Sequence, residues 1–188
     1  MVFKVSVFLF FMVTISPTFI LSQSESEKQI QSEILKTDSK EIILIQKVIV
    51  EAPIKDVWKA YTTSDGWTAW ASPVAEIDFR VGGTIKTHYQ KDSKIGDVGT
   101  NILNIVNYVP ERVLTLRAEL SERWPDVMKE DDGKLMNVII FEELLNNHTQ
   151  ILSYGVGYRD LPAYHDLMKF FIPANEGLFK KLKDYLEK

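Results

Sequence analysis

Hydrophobic and polar positions divide the chain into three stretches. Residues 1–22 are mostly apolar, residues 23–40 are mostly polar, and from Glu41 onward apolar positions recur with strand and helix periods. The third stretch opens with EIILIQKVIVEA, rich in Ile and Val and alternating toward its end, which predicts a strand. Pro53 stops it and suits the first turn of a helix. Ile54, Val57, Trp58 and Tyr61 then share one face of a short helix over 54–62. Asp65 and Gly66 punctuate, and a second helical turn carries Trp67 and Trp70.

A run of strands follows. AEIDFRV puts Ala75, Ile77, Phe79 and Val81 on one face, Gly82-Gly83 makes a turn, and TIKTHYQ is the next strand. After the polar loop KDSKIGDVG, TNILNIVNYV reads as a long strand. Pro110-Glu111-Arg112 turns it into VLTLRAEL, with Leu114, Leu116, Ala118 and Leu120 on one face. Residues 121–134 form a charged loop with one buried-looking residue, Trp124. LMNVIIFEELL and the segment from Thr149 to Tyr158 make a hairpin across Asn146-Asn147-His148. Leu167, Phe171, Ala174, Leu178, Leu182 and Tyr185 fall on one stripe of a final helix. Pro173 inside it removes a hydrogen bond and clashes with the preceding turn, so the helix either kinks or restarts there.

Short turns join consecutive strands into antiparallel pairs. A sheet so made needs one face covered, and the last helix is the only element long enough to do it. The expected domain, 41–188, is therefore α+β: a curved antiparallel sheet of about six or seven strands around a long C-terminal helix. Two short helices follow its first strand, and a pocket lies between sheet and helix.

The two preceding stretches concern address rather than fold. Lys4 precedes an apolar run from Val5 to about Val13, then come Thr14, Ser16, Pro17 and Thr18, and small residues at Ser22 and Ser24. A charged start, a short apolar centre and a small-residue exit match a secretory signal peptide over 1–22, with cleavage after Ser22 or Ser24. The alternative is an uncleaved N-terminal membrane anchor. The run from Val5 to Leu21 is short for a span of about 20 residues and Pro17 interrupts it. Residues 23–40 carry only Ile30, Ile34 and Leu35 as apolar residues and read as a flexible polar linker. The expected location is secreted or periplasmic, with no stable membrane insertion once the leader is removed.

Composition narrows the partners. The 188 residues suit one domain, and 45% hydrophobic residues suffice for a core. Net charge is −4, and losing Lys4 with the leader takes it from −4 to −5, so nucleic acid is not an expected partner. The absence of cysteine excludes disulfides, thiolate metal sites and cysteine nucleophiles.

Several of these landmarks resemble a known family. Ala52-Pro53, Val57-Trp58, Trp67 and Trp70, and Gly82-Gly83 occur in the order typical of proteins related to activators of the heat-shock-protein-ninety ATPase. The similarity continues through NYVPERVLTL, the strands bearing Glu142, Thr149 and Gly155, and the last helix, so it spans roughly 41–188. That family belongs to the START-like, or SRPBCC, superfamily. The resemblance implies the helix-grip fold and a range of roles: hydrophobic-ligand carrier, lipid-transfer domain, small cyclase or co-chaperone. Fold alone does not choose among them. A cytosolic co-chaperone role conflicts with an export signal.

Candidate chemistry is sparse. His88, His148 and His165 have no metal-ligand spacing and are expected in solvent, as are Glu76 and Asp78. Glu142 shares phase with Met136, Val138, Ile140 and Leu144, so an inward face would bury it. It would then be either half of an ion pair with Arg117 or Arg80, or a ligand-orienting or acid–base carboxylate with a raised pKa. It is the one weak catalytic candidate. Trp58 is expected in the core, and Trp67, Trp70 and Trp124 at a pocket mouth. Tyr89, Tyr108, Tyr154 and Tyr158 offer hydroxyls to a cavity. The side chains expected to touch a ligand are Trp67, Trp70, Phe79, Leu116, Tyr154, Phe171 and Leu178. Asn147-His148-Thr149 is a glycosylation sequon in a eukaryotic secretory route. No cofactor or metal is expected. The leading expectation is a small apolar ligand bound without covalent chemistry. A cyclase- or hydratase-like enzyme, or an interaction module acting on envelope proteins, is the alternative.

Overall fold

The computed structural model describes residues 30–188. The expected signal segment, its expected cleavage after Ser22 or Ser24, and the first part of the expected polar linker lie outside the described residues. In chain order the elements are β1 (Ile30–Lys36), β2 (Glu41–Val50), α1 (Ile54–Thr62), α2 (Ser64–Trp70), β3 (Val74–Ile77) and β4 (Thr84–His88). Then follow β5 (Asn101–Val109), β6 (Val113–Ala118), α3 (Asp126–Glu130), β7 (Met136–Glu143), β8 (Thr149–Arg159) and α4 (Pro162–Leu186). The strands form one sheet in the order β1-β2-β8-β7-β6-β5-β4-β3, every neighbouring pair antiparallel. This is the helix-grip architecture, with eight strands rather than six or seven.

One sheet face is apolar because the strand period is two. On β2, Ile42, Leu44, Gln46, Val48 and Val50 are all buried while the residues between them are not. Ile151 on β8, Ile139 and Phe141 on β7, Leu114 and Leu116 on β6, Ile105 on β5 and Ile85 on β4 extend that face across the sheet. Two clusters cover it. The larger joins α1, α2 and the C-terminal half of α4 through Val57, Tyr61, Trp67, Trp70, Phe179 and Leu182. The smaller gathers Ile42, Leu44, Met128, Leu135, Tyr164 and Met168 around the N-terminal half of α4.

Several expectations need correction. The flexible linker does not extend over Ile30–Lys36, which pairs with β2 along its full length as an edge strand. Its side chains bury little, so composition hides it; backbone hydrogen bonds to β2 supply the order, and its exposed polar residues suit an edge. Val81 is 59% exposed, because β3 ends at Ile77 and the chain turns through Gly82 at φ 78°. The charged loop 121–134 contains α3, with Met128 and Asp131 both buried. On α4, Ala174 is exposed, and the face turned inward carries Tyr164, Met168, Phe179 and Leu182. Pro173 neither ends nor divides α4, which runs as one helix of 25 residues with the proline on its exposed side.

Candidate functional site

The two clusters do not meet completely beneath α4. Between them lies a cavity of about 220 Å³. Its floor is the sheet: Leu44 and Gln46 from β2, Leu103 from β5, Leu116 and Ala118 from β6, with Asn137, Ser153 and Gly155 beside them. Its roof is Phe171 and Asn175 of α4, which flank Pro173. Trp124 and Met128 close one side.

Polar groups in this lining are paired with one another. Gln46 is 1% exposed, yet it shares phase with the buried apolar residues of β2. Its side-chain amide donates to Ser32 at 3.0 Å and its carbonyl oxygen accepts from Asn175 at 2.7 Å. Ser32 in turn donates to Glu176 at 2.7 Å, so β1, β2 and α4 are joined by one chain of hydrogen bonds. Beside Gln46 on the same floor, its cross-strand neighbour Ser153 donates to Asn137 at 2.9 Å. A buried amide is tolerated because its partners are satisfied. Tyr158 also lines the cavity, and burial pushes its pKa up to about 12, so it stays protonated at neutral pH. Among the described residues, no Asp, Glu, Lys, Arg or His lines the cavity.

Of the seven expected ligand contacts, Leu116 and Phe171 line the cavity. Trp67 and Trp70 are core residues whose indole nitrogens donate to the carbonyls of Tyr61 at 2.7 Å and Ala60 at 3.0 Å. Those bonds tie α2 onto α1 and turn both rings away from any pocket mouth. Phe79 stacks at 4.6 Å on Tyr108 and edge-on at 5.8 Å to Trp58, packing against the larger cluster, where Leu178 also sits. Tyr154 pairs across strands with Val138 and Ile45, on the sheet face away from α4. Tyr89 is 62% exposed.

Glu142 is not inward-facing. It is exposed and accepts a hydrogen bond from its cross-strand neighbour Gln150 at 2.5 Å. β7 is apolar in both phases, and the inward one is that of Ile139 and Phe141. Arg80 pairs instead with Asp78 at 2.9 Å. His88 is buried rather than solvated: its Nδ1 accepts from the Gln90 amide at 3.1 Å, which leaves Nε2 to donate to the Val98 carbonyl at 3.2 Å. His165 is bound to Asp160 at 2.5 Å. Asn147 is exposed in its turn, while the sequon's Thr149 is buried and donates to the Ala52 carbonyl at 2.8 Å.

Sequence reasoning missed Gln46, Asn137, Ser153 and Asn175. Gln46 had a signal, a single polar residue in the inward phase of an otherwise apolar strand. Asn175 had none until its helix was placed over β2.

Comparison with known proteins follows the fold. A family model described as Activator of Hsp90 ATPase homolog 1-like protein matches residues 51–187. The Aha1 dimer from Colwellia psychrerythraea superposes with a TM-score of 0.60 at 17% identity, over 77% of this chain and 96% of that one. A protein from Nitrosomonas europaea gives 0.59 at 17% identity, over 80% and 97%. CalU16 from Micromonospora echinospora gives 0.54 at 15%, over 81% and 85%. At these identities the likeness is one of fold. None of the curated proteins matches the sequence.

Proposed function

This chain belongs to the family of activator of Hsp90 ATPase homolog 1-like proteins, matched over residues 51–187, and from that premise we propose that it holds a small, mainly apolar molecule between sheet and α4 without covalent chemistry. The observation that carries this is the cavity itself. It is apolar with a few amide and hydroxyl groups, which orient a ligand but do not exchange protons with it near neutral pH. An enzyme of the cyclase or hydratase kind would need an acid–base group in contact with substrate. The carboxylate nominated for that, Glu142, lies on the far side of the sheet. An interaction module would be favoured by a filled core rather than by a hollow between its two clusters.

The protein is further proposed to work outside the cytosol, on the strength of the signal pattern in residues 1–22. Export separates it from a cytosolic co-chaperone role. Native mass spectrometry of protein purified from its own compartment tests the binding function. A lipophilic species should co-purify and leave on denaturation. If none does, and no member of a broad lipophilic panel raises the melting temperature, the carrier function is refuted. N-terminal sequencing of the same sample should read from Gln23 or Glu25; an intact Met1 overturns the export.

A further inference from the structure

A second hollow of about 300 Å³ adjoins the cavity on its outer side. Trp124 and Phe171 line both spaces, so the two meet at these residues. Phe170, 66% exposed, and Pro125 add apolar surface to the outer space, and Arg123 adds a guanidinium. The inner cavity alone is smaller than the range of roughly 300–1,000 Å³ usual for small-molecule sites, and the two joined fall inside it.

Charge pairing on this loop singles out Arg123. Lys129 takes Asp126 at 2.8 Å and Glu122 at 3.7 Å. Arg159 takes Glu130 at 2.9 Å and Asp131 at 2.6 Å. Arg123 has no ion-pair partner among the described residues, although acidic residues flank it in sequence. A guanidinium offers a planar fork that matches the two oxygens of a carboxylate or phosphate.

We propose that the ligand is an amphipathic oxyanion, its apolar chain in the inner cavity and its carboxylate or phosphate head against Arg123 in the outer hollow. This rests on the carrier function proposed above and names the ligand class. The chain passes between Trp124 and Phe171, and the head stays hydrated at the rim, where no desolvation of a charge is required.

Three probes with the same tail separate head from chain: dodecanoate, dodecyl phosphate and dodecan-1-ol, each below its micelle concentration, titrated calorimetrically at neutral pH. At least one anion should bind about tenfold more tightly than the alcohol, and the tighter of the two identifies the head group. In Arg123→Gln the ratio of anion to alcohol affinity should fall about tenfold, and Arg123→Lys should restore part of it. Equal affinities for anions and alcohol, or a ratio unchanged in Arg123→Gln, overturn the anionic head while leaving the carrier function standing. Failure of all three probes to bind overturns the ligand class, and only failure across the broad lipophilic panel as well overturns the carrier function.

Discussion

Tyr164, with none of its surface exposed, donates its phenolic hydroxyl to the carboxylate of Asp131 at 2.9 Å, with the Val127 carbonyl at the same distance. Asp131 also accepts from Arg159 at 2.6 Å and Lys134 at 3.1 Å. These bonds fasten α3 and its flanking loop to β8 and to the start of α4. That loop supplies Trp124 and Met128 to the cavity wall, so an ion-pair network outside the cavity holds one of its sides in place.

Tyr164→Phe keeps the ring packing and removes one hydrogen bond to a charged group. It should cost about 1.5–2 kcal/mol, read as a lower urea midpoint with an unchanged slope. A loss below about 0.5 kcal/mol would mean that the network does not hold the loop.

Acid should weaken the fold through the same carboxylate. Burial alone would raise the Asp131 pKa, but hydrogen bonds from Arg159, Lys134 and Tyr164 outweigh it and hold it below the ordinary aspartate value. Hydrogen bonds from His165 and Lys36 lower Asp160 in the same direction. A carboxyl whose folded pKa lies below its unfolded one stabilises the fold above the unfolded value, and that contribution is lost as pH falls through the folded one. The urea midpoint should therefore be flat above about pH 5 and drop below about pH 4. Asp131→Asn should lower the plateau and flatten the acid limb; an acid limb of unaltered steepness would assign it to other groups.

Filling the cavity should abolish binding without unfolding the protein. Ala118 lines it from β6, and Ala118→Phe places a ring in the space a ligand would take. Stability should change by no more than about 1–2 kcal/mol, because the new volume meets a hollow rather than packed atoms. The rise in melting temperature caused by a bound lipophile should vanish. Retention of that rise would move the site elsewhere.

Glu142→Gln should leave ligand binding unaltered and shift stability by no more than about 0.5 kcal/mol, as for other surface changes. A large loss of binding would restore the enzymatic alternative.

Gly157 sits in β8 at φ 89°, and a Cβ there would lie 2.3 Å from the Lys134 carbonyl oxygen. Gly157→Ala combines left-handed backbone strain with a clash against backbone, and should cost about 2–3 kcal/mol in a thermal melt. A neutral outcome would show that the backbone at the Gly157 end of β8 and the start of β7 relaxes freely.

Element types were legible where a period was clean. β2 shows period two, and α1 shows spacings of three and four, so both follow from the chain directly. β1 was not legible, because its order comes from backbone pairing with β2 and its side chains carry little apolar pattern. β7 misled in phase: with Val138, Ile139, Ile140 and Phe141 in succession, either face satisfies alternation, and Glu142 followed the wrong one. The tryptophans of α2 misled because aromatic residues suit core and pocket equally well, and the hydrogen bonds from Trp67 and Trp70 to α1 decide between the two.

The sequence by itself determined the α+β class and the order of the elements from β2 to α4 apart from α3, because local periodicity and turn residues act over a few positions and need no partner, and its ordered landmarks from Ala52-Pro53 to Gly82-Gly83 carried the family resemblance. Only the tertiary structure decided which face of β7 points inward, that α4 passes Pro173 unbroken, and that Gln46 meets Asn175 at 2.7 Å across the sheet–helix layer. Contacts between residues 129 positions apart are set by how layers pack. A cavity is the space that packing leaves unfilled, and no stretch of sequence encodes it alone.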